Sequence, residues 1–207
     1  MKKEIWFGIG GMVVGVLVVS LFSSATPFRS MMWGGNYPNN QTSSRTAGMA
    51  NSIDRHFIEQ MIPHHDGAIA MAKLALAKAT HPEIKTLSGA IIEAQEREIR
   101  DMQDWYRAWF GKDVPKGTVS MMNGGMMSQG GMHMGGQEDM QALENAADFD
   151  RAFIEQMIPH HQLAIMMAQM LESGSDRPEM LTLADNIIES QAKEIKDMQD
   201  WYQRWYK

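Results

Sequence analysis

The chain has no cysteine. That single absence removes disulfides, thiolate metal ligands and cysteine nucleophiles together. It also lacks any run of lysine and arginine, and its formal net charge is −6 with a pI near 5.6. Nucleic acid is therefore not expected as a partner, because no basic footprint is available to neutralise phosphates. Catalytic signatures are missing too. There is no Gly-x-Ser-x-Gly, no phosphate-cradling glycine loop and no His-Glu-x-x-His. A ferritin-type dinuclear iron site needs Glu-x-x-His on helices, but three residues after Glu59, Glu93, Glu155 and Glu189 stand Ile62, Glu96, Ile158 and Ala192.

What the chain does have is methionine, 21 of them in 207 residues. Methionine fills irregular cores and is also a soft sulfur ligand suited to Cu(I) and its relatives, so position decides its use. At the amino terminus Lys2 and Lys3 precede an uncharged apolar run from Ile5 to Phe22. As a helix this run would be about 27 Å long at roughly 1.5 Å per residue, enough to reach across a bilayer core. Residues 1–25 are expected to be an uncleaved transmembrane anchor, with a signal segment cut near Ser23-Ser24-Ala25 as the alternative. Either way the remainder should lie on the extracytoplasmic side, since the two lysines stay inside. Residues 26–51, rich in Ser, Gly, Asn and Pro, read as a flexible stalk.

The nonapeptide Phe57-Ile58-Glu59-Gln60-Met61-Ile62-Pro63-His64-His65 returns unchanged at Phe153 to His161. Around it, 54–109 and 150–205 align without a gap, with more than half of the positions identical. A repeat of this kind is one supersecondary unit used twice. Within each copy the apolar residues recur at three-and-four spacing. The pattern predicts a first helix from about Ser52 to Ala79, a single helix kinked at Pro63. Thr80-His81-Pro82-Glu83 and Asp176-Arg177-Pro178-Glu179 read as capped hairpin turns. A second helix is expected over Pro82 to Phe110, stopped by Gly111. The expected fold is all-α: an antiparallel four-helix bundle of two hairpin repeats, 52–111 and 142–207, joined by an exposed Met/Gly-rich linker, 112–141.

Two ligand clusters stand out. On the first helix of each copy, Met61, His64, His65 and Met71, and then Met157, His160, His161, Met166 and Met167, combine imidazole with thioether. Such a set suits Cu(I), Ag(I) or Cu(II) and serves magnesium or calcium poorly. The alternative is that the histidines hydrogen-bond within the bundle and the methionines are core. The linker supplies the second cluster, with Met121, Met122, Met126, Met127, Met132, His133 and Met134 on glycine-rich chain that has no face to pack. There the alternatives are soft-metal binding, oxidation-prone bait or an adaptable contact surface. Glu98 and Glu194 fall on or beside the apolar stripe, either flanking it towards solvent or facing the histidine helix as a hydrogen-bond partner or ligand. Trp105, Trp109, Trp201 and Trp205 read as core or bundle-end packing.

The nonapeptide, followed by Ala68-Ile69-x-Met71-Ala72 and then by Ile91-Ile92-x-x-Gln95-x-x-Glu98-Ile99-x-x-Met102 and Trp105, resembles the bacterial DUF305 domain, a ferritin-like helical-bundle class. The resemblance covers both repeats and leaves the anchor and linker outside it. The family's general function is undefined, and the resemblance implies only that some members are extracytoplasmic copper-binding proteins linked to copper tolerance. Carried over by position, the implied ligands are Met61, His64, His65, Met71 and Met102, with Met157, His160, His161, Met167 and Met198. The second copy departs from the first at Ala152 in place of His56, and at Gln162-Leu163 in place of Asp66-Gly67. The expected function is copper binding, with silver as a soft relative, for buffering or for delivery to a protein partner without turnover. Two alternatives are a metal oxidase using Glu59, Glu93 and Glu98 with the histidines, and a structural envelope module in which the histidine pairs only pack.

Overall fold

A computed structural model describes residues 41–115 and 137–207, with side chains from residue 51 onward. The expected membrane anchor, most of the stalk, and the methionine cluster from Met121 to Met134 lie outside the described residues. Among those described, five helices and no strand are present: α1 (Gln41–Lys78), α2 (Pro82–Phe110), α3 (Gln137–Glu144), α4 (Phe149–Glu172) and α5 (Pro178–Tyr206). None of the described helices is long and apolar enough to cross a membrane. Helix α1 packs along α2 and α4 along α5, giving two hairpins that meet through α1 and α4.

α2 runs over the expected residues and ends where its sequence says it should. Gly111 takes the left-handed conformation, φ 66°, and its N–H bonds the Arg107 carbonyl. A residue with a Cβ is strained at that φ, which is why glycine terminates the helix there. Both first helices continue unbroken through Pro63 and Pro159.

Three expectations need correction. α1 begins at Gln41 rather than near Ser52, so the end of the stalk is helical. A helix already nucleated adds one hydrogen bond per residue without a new nucleation cost, and an apolar period is not required for that. The carboxy-terminal end of the linker is helical rather than irregular, because α3 starts at Gln137, and just past the linker its Leu143 is fully buried with α1 and α4 side chains. The hairpin caps also differ. The N-cap residues are His81 and Arg177, neither making a side-chain cap bond, whereas Thr80 is drawn away by Asp150.

Two apolar cores lie along the bundle. The first joins Phe57, Ile58, Met61 and Ile62 of α1 to Ala164, Ala168 and Leu171 of α4, with Met102, Tyr106 and the first half of α5. The second joins Ala68, Met71, Ala72 and Ala75 of α1 to Phe153, Ile154 and Met157 of α4, with Met198 and the first half of α2. The first half of α1 thus meets the second half of α4, and the reverse. Neither core contains residues 63–67 or 159–162, and the duplicated histidines occupy that interval.

Each copy also grips the turn of the other. Asp54, fully buried, accepts from Arg177 Nε at 3.0 Å, and the Arg177 guanidinium lies 4.0 Å over the Trp109 ring. Asp150 accepts from the Thr80 hydroxyl at 2.5 Å, from the Thr80 and His81 backbone N–H groups, and from His81 Nδ1 at 2.5 Å. His81 in turn stacks on Trp205 at 3.7 Å. Burial pushes the Asp150 carboxyl up, but the donors of Thr80 and His81 outweigh it and hold the group below its ordinary value.

Candidate metal centre

His64, His65, His160 and His161 are all buried, none more than 1% exposed. Each arrives on a first helix whose apolar face forces it inward. Two consecutive residues on a helix point about 100° apart, so one of each pair faces the other hairpin and the next turns towards the helix beside it. The facing members are His64 and His160, whose ring centroids lie 3.8 Å apart at 41°. Within each copy the adjacent rings sit 6.3 Å apart at 59°, the same in both.

The outer members meet carboxylates. His65 Nε2 lies 2.7 Å from Glu98 Oε2, and His161 Nε2 lies 2.6 Å from Glu194 Oε2. These contacts settle the glutamate alternative in favour of the histidine-facing one. The imidazole's outer nitrogen is thus held by a carboxylate of the neighbouring helix. The glutamates are part-exposed while the rings they hold are sealed. A carboxylate accepts, so in the neutral ring Nε2 carries the proton and Nδ1 carries the lone pair. In both copies that Nδ1 is buried and has no hydrogen-bond partner.

His64 has neither ring nitrogen in a hydrogen bond of ordinary geometry. Its pKa is lowered to about 3, first by burial and then by the charges His65 and His161 would carry; the His160 backbone opposes this and is overridden. At neutral pH His64 is therefore an uncharged imidazole. An unpaired buried polar nitrogen costs free energy, on the order of 1–3 kcal/mol, unless something occupies its lone pair. The carboxylates on Nε2 of His65 and His161 fix those two rings, the kind of contact by which an outer partner orients an imidazole.

The methionines flank this layer. Met61 and Met102 belong to the first core and Met71, Met157 and Met198 to the second, while Met167 packs half-buried against the first. Met61 thus lies in one core and Met71 in the other, on the two sides of the histidine interval. Among the described residues no group of three or more His, Asp or Glu side chains is arranged to hold a metal. The carboxylates of an oxidase do not converge either. Glu59 bonds Tyr106 and Arg55, and Glu93 lies at the surface with Arg97. The tryptophans stack in pairs, Trp105 on Trp109 and Trp201 on Trp205.

Sequence reasoning missed the two cross-ties and α3. The aspartates had a signal, since Asp54 and Asp150 open the aligned segment in both copies.

Compared with known families, residues 54–202 match the profile described as Domain of unknown function (DUF305). The chain belongs to the DUF305 family. Among solved structures it is similar to CopM in the Cu(I)-bound form, with 49% identity and a TM-score of 0.64, over 74% of this chain and 98% of that one. CopM in the Ag-bound form, obtained by soaking, matches at 48% identity and a TM-score of 0.63, over 74% and 97%. A DUF305 fragment from Deinococcus radiodurans matches at 25% identity and a TM-score of 0.62, over 73% and 96%. A curated relative, uncharacterized protein L153 of Acanthamoeba polyphaga mimivirus, is 41% identical over 49 residues, 24% of this chain and 32% of that protein's length.

Proposed function

We propose that this DUF305 protein carries copper, or silver in its place, as a cargo ion at the buried histidine layer, buffering or delivering it on the extracytoplasmic side of a membrane. The observation that carries this reading is the pair of carboxylate-held imidazoles, His65 and His161, each with a buried Nδ1 that no donor meets, beside the close rings of His64 and His160. Neutral imidazole suits copper. Imidazole and thioether are softer donors than carboxylate or carbonyl oxygen, which favours Cu(I) and Ag(I) over oxygen-seeking calcium.

The similarity to CopM, solved in Cu(I)-, Cu(II)- and Ag-bound forms, points the same way. His64, depressed to about 3, has no proton to expel at neutral pH, so it is ready to donate. Methionines from both cores border the layer and provide soft secondary donors. The sealed rings favour binding over turnover. An anchor at Ile5 to Phe22 behind Lys2 and Lys3 would place the site outside the cytoplasm.

The test is a Cu(I) titration of the full chain against a competing chelator. His64→Asn with His160→Asn should abolish the tightest site, whereas deleting Met121 to Met134 should remove only weaker equivalents. The reverse pattern would move the site to the linker, and unchanged binding in both would reject copper carriage.

A further inference from the structure

Outside the histidine layer, a groove of about 450 Å³ runs between the first half of α1 and the second half of α4. His56 and Gln60 line one wall, and Met166, Met167 and Met170 line the other. Met166 is 40% and Met170 67% exposed. These two differ from the first copy, which has Ala70 and Leu74 at the aligned positions, and His56 differs from the second copy, which has Ala152. The departures arise on different repeats yet meet in one groove. Convergence of that kind is a property of the folded bundle, because the residues are more than a hundred positions apart in sequence.

The pseudo-equivalent groove, between the second half of α1 and the first half of α4, has a different fate. There α3 packs down, burying Leu143 and laying Met140 against the second core beside Phe149 and Ala152. One groove is thus closed by apolar side chains and the other presents thioethers to solvent. Core packing does not account for a methionine two-thirds exposed. On an α-helix, positions 166, 167 and 170 are one, three and four apart and share a face. The groove's lining residues include no carboxylate, so a hard or oxygen-seeking cation finds no charged partner there.

We propose that His56, Met166, Met167 and Met170 form a second, solvent-facing site for a soft monovalent cation, Cu(I) or Ag(I). It contains none of the four buried histidines of the layer. Three thioethers and one imidazole match the preference of such ions for polarisable, uncharged donors. Its exposure allows direct exchange with solution or with a partner.

The experiment uses the full chain labelled with ε-¹³C-methionine and titrated with Ag(I), which avoids oxidation. Met166→Leu and Met170→Leu singly assign the two signals. Both signals should shift on binding, and the triple variant His56→Ala, Met166→Leu, Met170→Leu should lose one equivalent of Ag(I) while its melting temperature stays unchanged, because leucine conserves the volume of exposed methionine. In His64→Asn with His160→Asn the groove signals should still shift, which separates this site from the layer. Unmoved Met166 and Met170 signals, an undiminished stoichiometry in the triple variant, or an equal response to Zn(II) would each overturn the proposal.

Discussion

In the first repeat His65 lies 2.7 Å from Glu98, and in the second His161 lies 2.6 Å from Glu194, with the same 6.3 Å and 59° between the paired rings. A few turns along the same helices the likeness stops. The groove beside Phe153 is covered by α3, and the groove beside Phe57 is open and lined with methionine. Asp150 is held by four donors from Thr80 and His81, and Asp54 by Arg177. The repeats agree where two halves must meet ring to ring across a pseudo-twofold and diverge where each faces its own surroundings. A buried polar layer tolerates little variation because every unmet nitrogen is costly, whereas a groove accepts any side chain that fills or lines it.

The comparison breaks most visibly at the cross-ties. Arg177→Ala leaves the fully buried Asp54 without its guanidinium and should cost about 3–5 kcal/mol in denaturant unfolding. His81→Ala should cost only about 1 kcal/mol, because Thr80 and the residue 81 backbone still bond Asp150. Equal losses would show that the two ties are energetically the same despite their different chemistry.

Next in size is the covered groove. Leu143→Ala should lower stability by about 3 kcal/mol, read by the same unfolding curve, because it leaves a cavity under α3. Met170→Leu in the open groove should change it by less than about 0.5 kcal/mol.

Acid comes next. His64 binds its proton near pH 3 when folded and near its ordinary 6.5 when unfolded. Between those values the unfolded chain holds the extra proton, so stability falls as pH falls, by about 1.4 kcal/mol per unit. His64→Asn should flatten that part of a stability profile measured by thermal melts from pH 7 to pH 4. The smallest effect tests symmetry at the centre: Glu98→Gln and Glu194→Gln should each weaken copper affinity by about tenfold, and the two should agree within about 0.5 kcal/mol.

Much of this was legible in the letters. The three-and-four apolar spacing located the four long helices, the glycine after Phe110 marked the end of α2, and the exact return of Pro-His-His named the histidines at the centre. α3 was hidden because eight residues with one buried leucine carry too little period to separate from a polar linker. The start of α1 was hidden because helix extension needs no apolar stripe. The pairing of Glu98 with His65 could only be offered as one of two readings, since a spacing on one helix does not say which way the neighbouring helix is turned.

The most direct measurement is X-ray absorption at the copper edge on the full chain loaded with one equivalent of Cu(I). Nearest-neighbour scattering from nitrogen, with the outer-ring pattern of imidazole, is the expected result, and it should vanish in His64→Asn with His160→Asn. A shell made only of sulfur at the first equivalent would contradict the histidine layer as the principal copper site.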